Sequence, residues 1–170
     1  MIKSDCIVII PTYNEKENIE KIIRAVMGLE KAFNILVIDD GSPDGTANIV
    51  KGLMADEFKD RLFIIERSGK LGLGTAYIAG FKWALEHGYD YIFEMDADFS
   101  HDPNDLPRLY AACHDEGADV AIGYLRNHPS QRRRMTPKKA SPKMPPLILL
   151  VPSRRLTKMT GTSLILKPIL

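Results

Sequence analysis

Short apolar runs alternate along this chain with longer segments whose apolar positions recur at helical spacing. Cys6 to Ile10 (CIVII) is a continuous, largely β-branched run, the pattern of a central strand buried on both faces, and Pro11 is expected to end it. Asn14 with Glu17 three positions on has the spacing of a capping box. Ile19, Ile22, Ile23 and Val26 then fall on one helix face, and Gly28 stops that helix. Ile35 to Ile38 (ILVI) is a second buried strand, followed by a turn cluster from Asp39 to Gly45. A second helix is predicted over Thr46 to Phe58, with Ile49, Val50, Leu53 and Met54 facing inward. Arg61 to Ile65 is a third strand, Gly69 to Gly74 a glycine-rich loop, and Thr75 to His87 a third helix with Gly88 just past its end. Tyr91 to Phe93, extended by Met95, is a fourth strand. Asp102 or Asn104 caps a fourth helix that carries Leu106, Leu109, Tyr110 and Cys113 and is closed by Gly117; Asp119 to Ile122 is a fifth strand.

Strands thus start near positions 6, 35, 61, 91 and 119, with a helix between each pair. Repeated βαβ units predict an α/β fold, a parallel, Rossmann-like sheet covered by helices on both faces. Polar clusters follow strand one (PTYNE), strand two (DDGSPDG) and strand four (DADFSHDP). All three therefore lie at one sheet edge, where open α/β sheets bind ligands.

The stretch YIFEMDADFSHDP holds Glu94, Asp96 and Asp98 in close order. On a continuing strand Asp96 and Asp98 would face the same side and repel unless a cation or donors sit between them. A hard divalent ion held by one or two carboxylates plus substrate phosphates answers that need. A turn or a helix cap is the plainer use of the same two acids. Tyr13 and Glu15 in the first loop suit a nucleobase or ribose, and Asp40 is similarly placed to accept hydrogen bonds. Plain turn chemistry accounts equally for Asp39, Asp40 and Asp44. The loop GKLGLGTA is not a dinucleotide fingerprint: it follows the third strand, and Tyr77 stands where the third glycine belongs. Its Lys70 either meets a phosphate or is a solvated side chain of a tight turn. His101 is the histidine nearest the proposed site and reads as structural; Phe81 and Trp83 read as core, His87 and His114 as surface.

Charge changes the picture beyond the fifth strand. All 22 Asp and Glu lie at or before Gly123, together with 12 of the 23 Lys and Arg; residues 124–170 carry the other 11 and 7 of the 11 prolines. That segment, with Arg132, Arg133 and Arg134 in a row, reads as disordered or loosely ordered, and only Leu147 to Val151 and Leu164 to Leu166 have strand character. The division expected is a domain over 1–123 and a basic, proline-rich tail over 124–170. Cys6 and Cys113, far apart and in apolar surroundings, predict reduced thiols and a cytoplasmic setting. MIKSDCIVII turns polar too soon for a signal peptide, and no apolar stretch approaches the ~20 residues needed to span a bilayer.

Taken in order, PTYNE, DDGSPDGT, GKLGLGTAY and DADFSHDP resemble the family 2 glycosyltransferases of the GT-A fold, and most closely the dolichol-phosphate or polyprenol-phosphate mannosyltransferases. The resemblance covers residues 5 to 123. It implies transfer of mannose from GDP-mannose to a polyprenyl phosphate with inversion, assisted by Mg²⁺ or Mn²⁺. Relatives that move glucose or aminoarabinose are the alternative. On the matching positions, Pro11, Tyr13, Glu15, Ile38 and Asp40 would bind the guanine nucleotide. Asp96, Ala97 and Asp98 would hold the donor diphosphate through the metal, with Asp98 the principal ligand and Ser100 near it. Lys70 lies within a matching motif, with its role open. No nucleic-acid partner is implied.

Past the fifth strand the family reads Gly-Ser/Thr-Arg-Tyr, whereas this chain reads Gly123-Tyr124-Leu125-Arg126-Asn127. Arg126, the nearby candidate for the acceptor phosphate, is one position out of register. The loss of every acid there reads as a change of reading frame, or as a basic tail that docks peripherally on an anionic membrane. A nucleotidyltransferase would need a phosphate loop where PTYNE stands. A non-catalytic nucleotide-binding fragment remains the other reading, and an impaired enzyme is the expectation.

Overall fold

A computed structural model of the chain describes residues 4–123 and 148–153. The elements run β1 (Cys6–Thr12), α1 (Ile19–Met27), β2 (Asn34–Asp39), α2 (Thr46–Asp56), β3 (Leu62–Glu66), α3 (Leu73–Glu86), β4 (Tyr91–Glu94), a 3-10 turn (Pro103–Asp105), α4 (Leu106–His114), β5 (Ala121–Gly123) and β6 (Ile148–Pro152). They build one six-stranded sheet of order β3-β2-β1-β4-β6-β5. The first four are parallel neighbours, and β6 runs antiparallel to both β4 and β5.

Strand alternation divides the core between two faces. On one, Val8, Ile10, Val37 and Phe93 meet Ile19, Ile22, Ile23 and Val26 of α1, Val50 and Leu53 of α2, and Leu106, Leu109 and Cys113 of α4. On the other, Ile7, Ile9, Leu36, Ile38 and Ile92 meet Ala76, Phe81 and Ala84 of α3. Helix α3 comes close enough to β1 that a Cβ on Gly80 would lie 2.7 Å from Cγ2 of Ile9. Trp83 packs against this second face and stacks on His87, and both cysteines are buried.

Three local expectations are corrected. Pro11 does not end β1, which continues to Thr12. Alternate residues of a parallel strand bond to opposite neighbours, and Ile9 accepts from the Met95 amide on the β4 side. Pro11 faces that same side beyond the end of β4, so its missing N–H breaks no ladder bond. The capping box does not form: Asn14 is left-handed at φ 61°, and α1 begins only after Asn18. The successive amides of Asn14, Glu15 and Lys16 donate instead to Ser42 Oγ (3.0 Å), Thr46 Oγ1 (3.0 Å) and Asp44 Oδ2 (3.1 Å). Those bonds stitch the loop after β1 to the loop after β2. Strand β4 stops at Glu94, so Asp96 and Asp98 stand in a turn and not on one strand face.

The far end of the sheet takes in a strand whose place the sequence pattern does not give. β5 does not pair with β4; β6, drawn from the segment expected to lie outside the domain, is inserted between them. Its span is one residue further on than the Leu147 to Val151 run singled out in the sequence. The expected strand at Leu164 to Leu166, the arginines at 132 to 134 and Arg126 lie outside the described residues. Among the described residues no helix is long and apolar enough to cross a membrane.

Candidate nucleotide and metal site

The carboxyl ends of β1, β2, β3 and β4 place four loops at one edge of the sheet. The loop after β2 is a network of acids already in use. Asp39, 1% exposed, accepts from Thr12 Oγ1 (2.9 Å), the Ser42 amide (2.9 Å) and Ser42 Oγ (2.6 Å). Asp44 accepts from the amide and hydroxyl of Thr46 at the start of α2. For these two acids turn chemistry is the observed role.

Asp40 is different. Its Oδ1 receives both Nε (2.5 Å) and Nη2 of Arg67, and its Oδ2 receives the Leu71 amide at 3.3 Å. The two side chains are only 9% and 10% exposed. Arg67 reaches further: Nη1 donates to Thr75 Oγ1 at 2.7 Å and Nη2 to the Gly72 carbonyl at 3.3 Å. Its own amide donates to the Asp39 carbonyl at 2.8 Å. One guanidinium therefore ties the end of β2 to the glycine-rich loop and the first turn of α3. The sequence reading passed over Arg67; the available signal was a lone cation directly after the third strand, at the same edge as the acidic loops. Beside this clamp Lys70 Nζ lies 4.7 Å from the centroid of the Tyr13 ring, which is 38% exposed. That contact brings the first loop and the glycine-rich loop together as a cation–π pair. Ile38 is fully buried and Ala97 nearly so, so neither offers its side chain to a ligand.

The loop after β4 carries the acids. Tyr77 of α3 donates its hydroxyl to Asp96 Oδ1 at 3.0 Å. Burial, then the neighbouring Asp96 and Glu94, push the Tyr77 hydroxyl far above the usual tyrosine range, which keeps it a donor. Asp98 Oδ1 receives the Ser100 amide at 2.9 Å and the Ser100 hydroxyl. Burial pushes the Asp98 carboxyl up, but the Ser100 bonds and nearby His101 outweigh it, and the group lies below the usual range. Glu94 is pushed up to about 7, by burial first and then by Asp96. His101 is 4% exposed, and neither ring nitrogen has a hydrogen-bond partner among the described residues. Phe99, 42% exposed, is left-handed at φ 58° in the same turn.

Asp96 and Asp98 each keep one carboxylate oxygen, Oδ2, outside these bonds. With the Ser100 hydroxyl they form a hard, all-oxygen donor set of the kind Mg²⁺ and Mn²⁺ prefer. Among the described residues no three His, Cys, Asp or Glu side chains are grouped to cage an ion unaided. That arrangement fits an ion completed by a substrate's phosphates and does not fit a closed structural centre.

Comparison with known proteins bears on this geometry. The family model described as Glycosyl transferase family 2 matches residues 7–167. A polyprenol monophosphomannose synthase of Mycolicibacterium smegmatis is 51% identical over 121 residues, 69% of this chain and 43% of that protein. An undecaprenyl-phosphate mannosyltransferase of Micrococcus luteus is 42% identical over 135 residues, 75% of this chain and 54% of that protein. The chain spans about half the length of these curated relatives. Among solved structures, a mannosyltransferase of Pyrobaculum calidifontis in complex with GDP-Man and Mn²⁺ superimposes with a TM-score of 0.57 at 22% identity, over 71% of this chain and 35% of that one. TarS of S. aureus gives 0.66 at 19% identity, over 89% of this chain and 48% of that one. The likeness to these structures is one of fold, the GT-A architecture.

Proposed function

The chain belongs to glycosyl transferase family 2, and from that premise we propose that it binds GDP-mannose with Mg²⁺ or Mn²⁺ as donor for mannosyl transfer, with inversion, to a polyprenyl phosphate. The observation that carries this reading is the pair Asp96 and Asp98, each held through Oδ1 with Oδ2 left for a ligand, at the edge that also presents Tyr13, Glu15 and Lys70. Asp98, whose Oδ1 is held by Ser100, is the principal ligand; Asp96 and Ser100 complete the protein's share. When bound, the ion supplies Lewis-acid stabilisation of the departing diphosphate. Tyr13 and Lys70 bind the nucleotide side, with Pro11 and Glu15 lining the same loop. Asp40 serves it chiefly by fixing the glycine-rich loop, since its oxygens already accept from Arg67 and Leu71. A strong base is not required, because an acceptor phosphate carries about −1.5 to −2 charge at neutral pH.

The residues brought together at this edge are those read as serving the donor, which supports a narrower reading, that this chain binds donor and transfers slowly. Positioning an acceptor is worth ~7–11 kcal/mol of barrier, and of the cations at this edge Arg67 is already taken up by Asp40. The 11 Lys and Arg beyond Gly123, Arg126 among them, support peripheral contact with an anionic, cytoplasm-facing membrane surface. The test is a transfer assay with radiolabelled GDP-mannose or UDP-glucose, Mn²⁺ and a short polyprenyl phosphate. The expected result is retention of GDP-mannose over UDP-glucose with slow labelling of lipid. Equal retention of the two donors would overturn the mannose assignment. Turnover matching one of these curated relatives would overturn the slow-transfer reading.

A further inference from the structure

Helix α3 is joined to the acidic loop by one side-chain bond, and two of its residues make that bond possible. Gly80 lets the helix lie against Ile9 of β1, where a Cβ would sit 2.7 Å from Cγ2 and 2.8 Å from Cδ1 of that isoleucine. Tyr77, one turn earlier, is thereby carried past the end of β4 and reaches Asp96 Oδ1 at 3.0 Å. Asp96 itself lies beyond the last ladder residue, so the sheet does not fix its side chain. Asp98 is held locally by its own turn through Ser100, whereas the hydrogen bond the structure gives the Asp96 side chain comes from 19 residues away.

We infer that Tyr77 is a positioning residue for Asp96, and that the close seat of α3 at Gly80 sets the geometry of the metal-binding carboxylates. This rests on the reading of Asp96 and Asp98 as metal-binding residues. The hydroxyl occupies Oδ1 and leaves Oδ2 to a ligand, so one oxygen is committed to the fold and one to the ion. A phenol hydroxyl on a helix packed against β1 is a suitable donor here, because it reaches Asp96 from a rigid element and not from the turn itself. Groups that orient metal ligands in this way commonly govern affinity for the ion.

The experiment is a Mn²⁺ titration of the full chain in the presence of GDP, following free Mn²⁺ by electron paramagnetic resonance. GDP affinity is measured in parallel in EDTA. Tyr77→Phe keeps the ring and removes the hydroxyl. It is expected to weaken Mn²⁺ binding roughly 10–100-fold while leaving metal-free GDP affinity and Tm near wild type. A purely structural role would lower Tm and GDP affinity together, and that outcome, or Mn²⁺ affinity within twofold of wild type, would overturn the inference. Gly80→Ala keeps the hydroxyl but lifts α3 from Ile9, and it is expected to weaken Mn²⁺ in the same direction; unchanged affinity there would count against it, whatever the fate of Tyr77→Phe. Wild-type protein that takes up no Mn²⁺ with GDP would overturn the metal reading itself and the inference with it. That result is distinct from a Tyr77→Phe variant that binds like a metal-binding wild type.

Discussion

Replacing Arg67 by Met removes the cation that neutralises Asp40 while keeping most of the apolar stem. Both side chains are about nine-tenths buried, and the carboxylate would retain only the long bond from the Leu71 amide at 3.3 Å. Removing one partner of a buried pair costs about 3–5 kcal/mol, because the other charge is left uncompensated. The lost bonds to Thr75 and Gly72 lie in exposed surroundings and add little. Removing both charges is a different perturbation: Asp40→Leu with Arg67→Met exchanges an ion pair for apolar contact, which is often neutral or stabilising by about 1–4 kcal/mol. Urea unfolding at pH 7, with slopes compared as well as midpoints, reads both. The single variant should lose about 3–5 kcal/mol and the double variant should regain most of it. A loss below about 1 kcal/mol for the single change, as for an exposed pair, would refute the reasoning. So would a double variant no more stable than the single one.

Two further outcomes follow from groups beside the site. Glu94 titrates near 7 in the folded chain, above its ordinary value of 4.5, so its contribution to stability is full below pH 4.5 and is lost as pH rises through 7. In EDTA, Glu94→Gln should therefore raise stability at pH 8 relative to pH 4 by up to about 3 kcal/mol; parallel thermal-unfolding profiles for variant and wild type would contradict the buried, charge-crowded placement of this carboxyl. Phe99 holds a left-handed backbone with its ring 42% exposed. Phe99→Gly should raise stability by about 1 kcal/mol, and a fall in Tm would mean that the ring contributes packing worth more than the strain.

The parallel βαβ order was legible because buried strands such as CIVII and ILVI, and the helix face Ile19, Ile22, Ile23 and Val26, are local patterns. The acidic turn was legible for the same reason: Asp96, Asp98 and Ser100 sit within five residues. What escaped the sequence reading depends on partners far along the chain. Asn14 and Glu17 have capping-box spacing, yet the amides of Asn14 to Lys16 are taken by a loop some thirty residues on. Pro11 ends a strand by local rule, and only the short reach of β4 on that side makes its missing donor harmless. Arg67 meets Asp40 across 27 positions and Tyr77 meets Asp96 across 19; no periodicity encodes either. β6 is the extreme case, since a strand entering between β4 and β5 cannot be placed by its own composition.

The central claim is that Asp96 and Asp98 bind a divalent ion together with a guanine nucleotide diphosphate. Calorimetric titration of GDP into the full chain, with Mn²⁺ and in EDTA, for wild type and Asp98→Ala, tests it most directly. The account predicts that Mn²⁺ strengthens GDP binding by about tenfold or more, ~1.4 kcal/mol, and that Asp98→Ala removes this gain while leaving the EDTA affinity unchanged. Equal GDP affinity with and without Mn²⁺ in the wild type, or a gain that survives in Asp98→Ala, would contradict it.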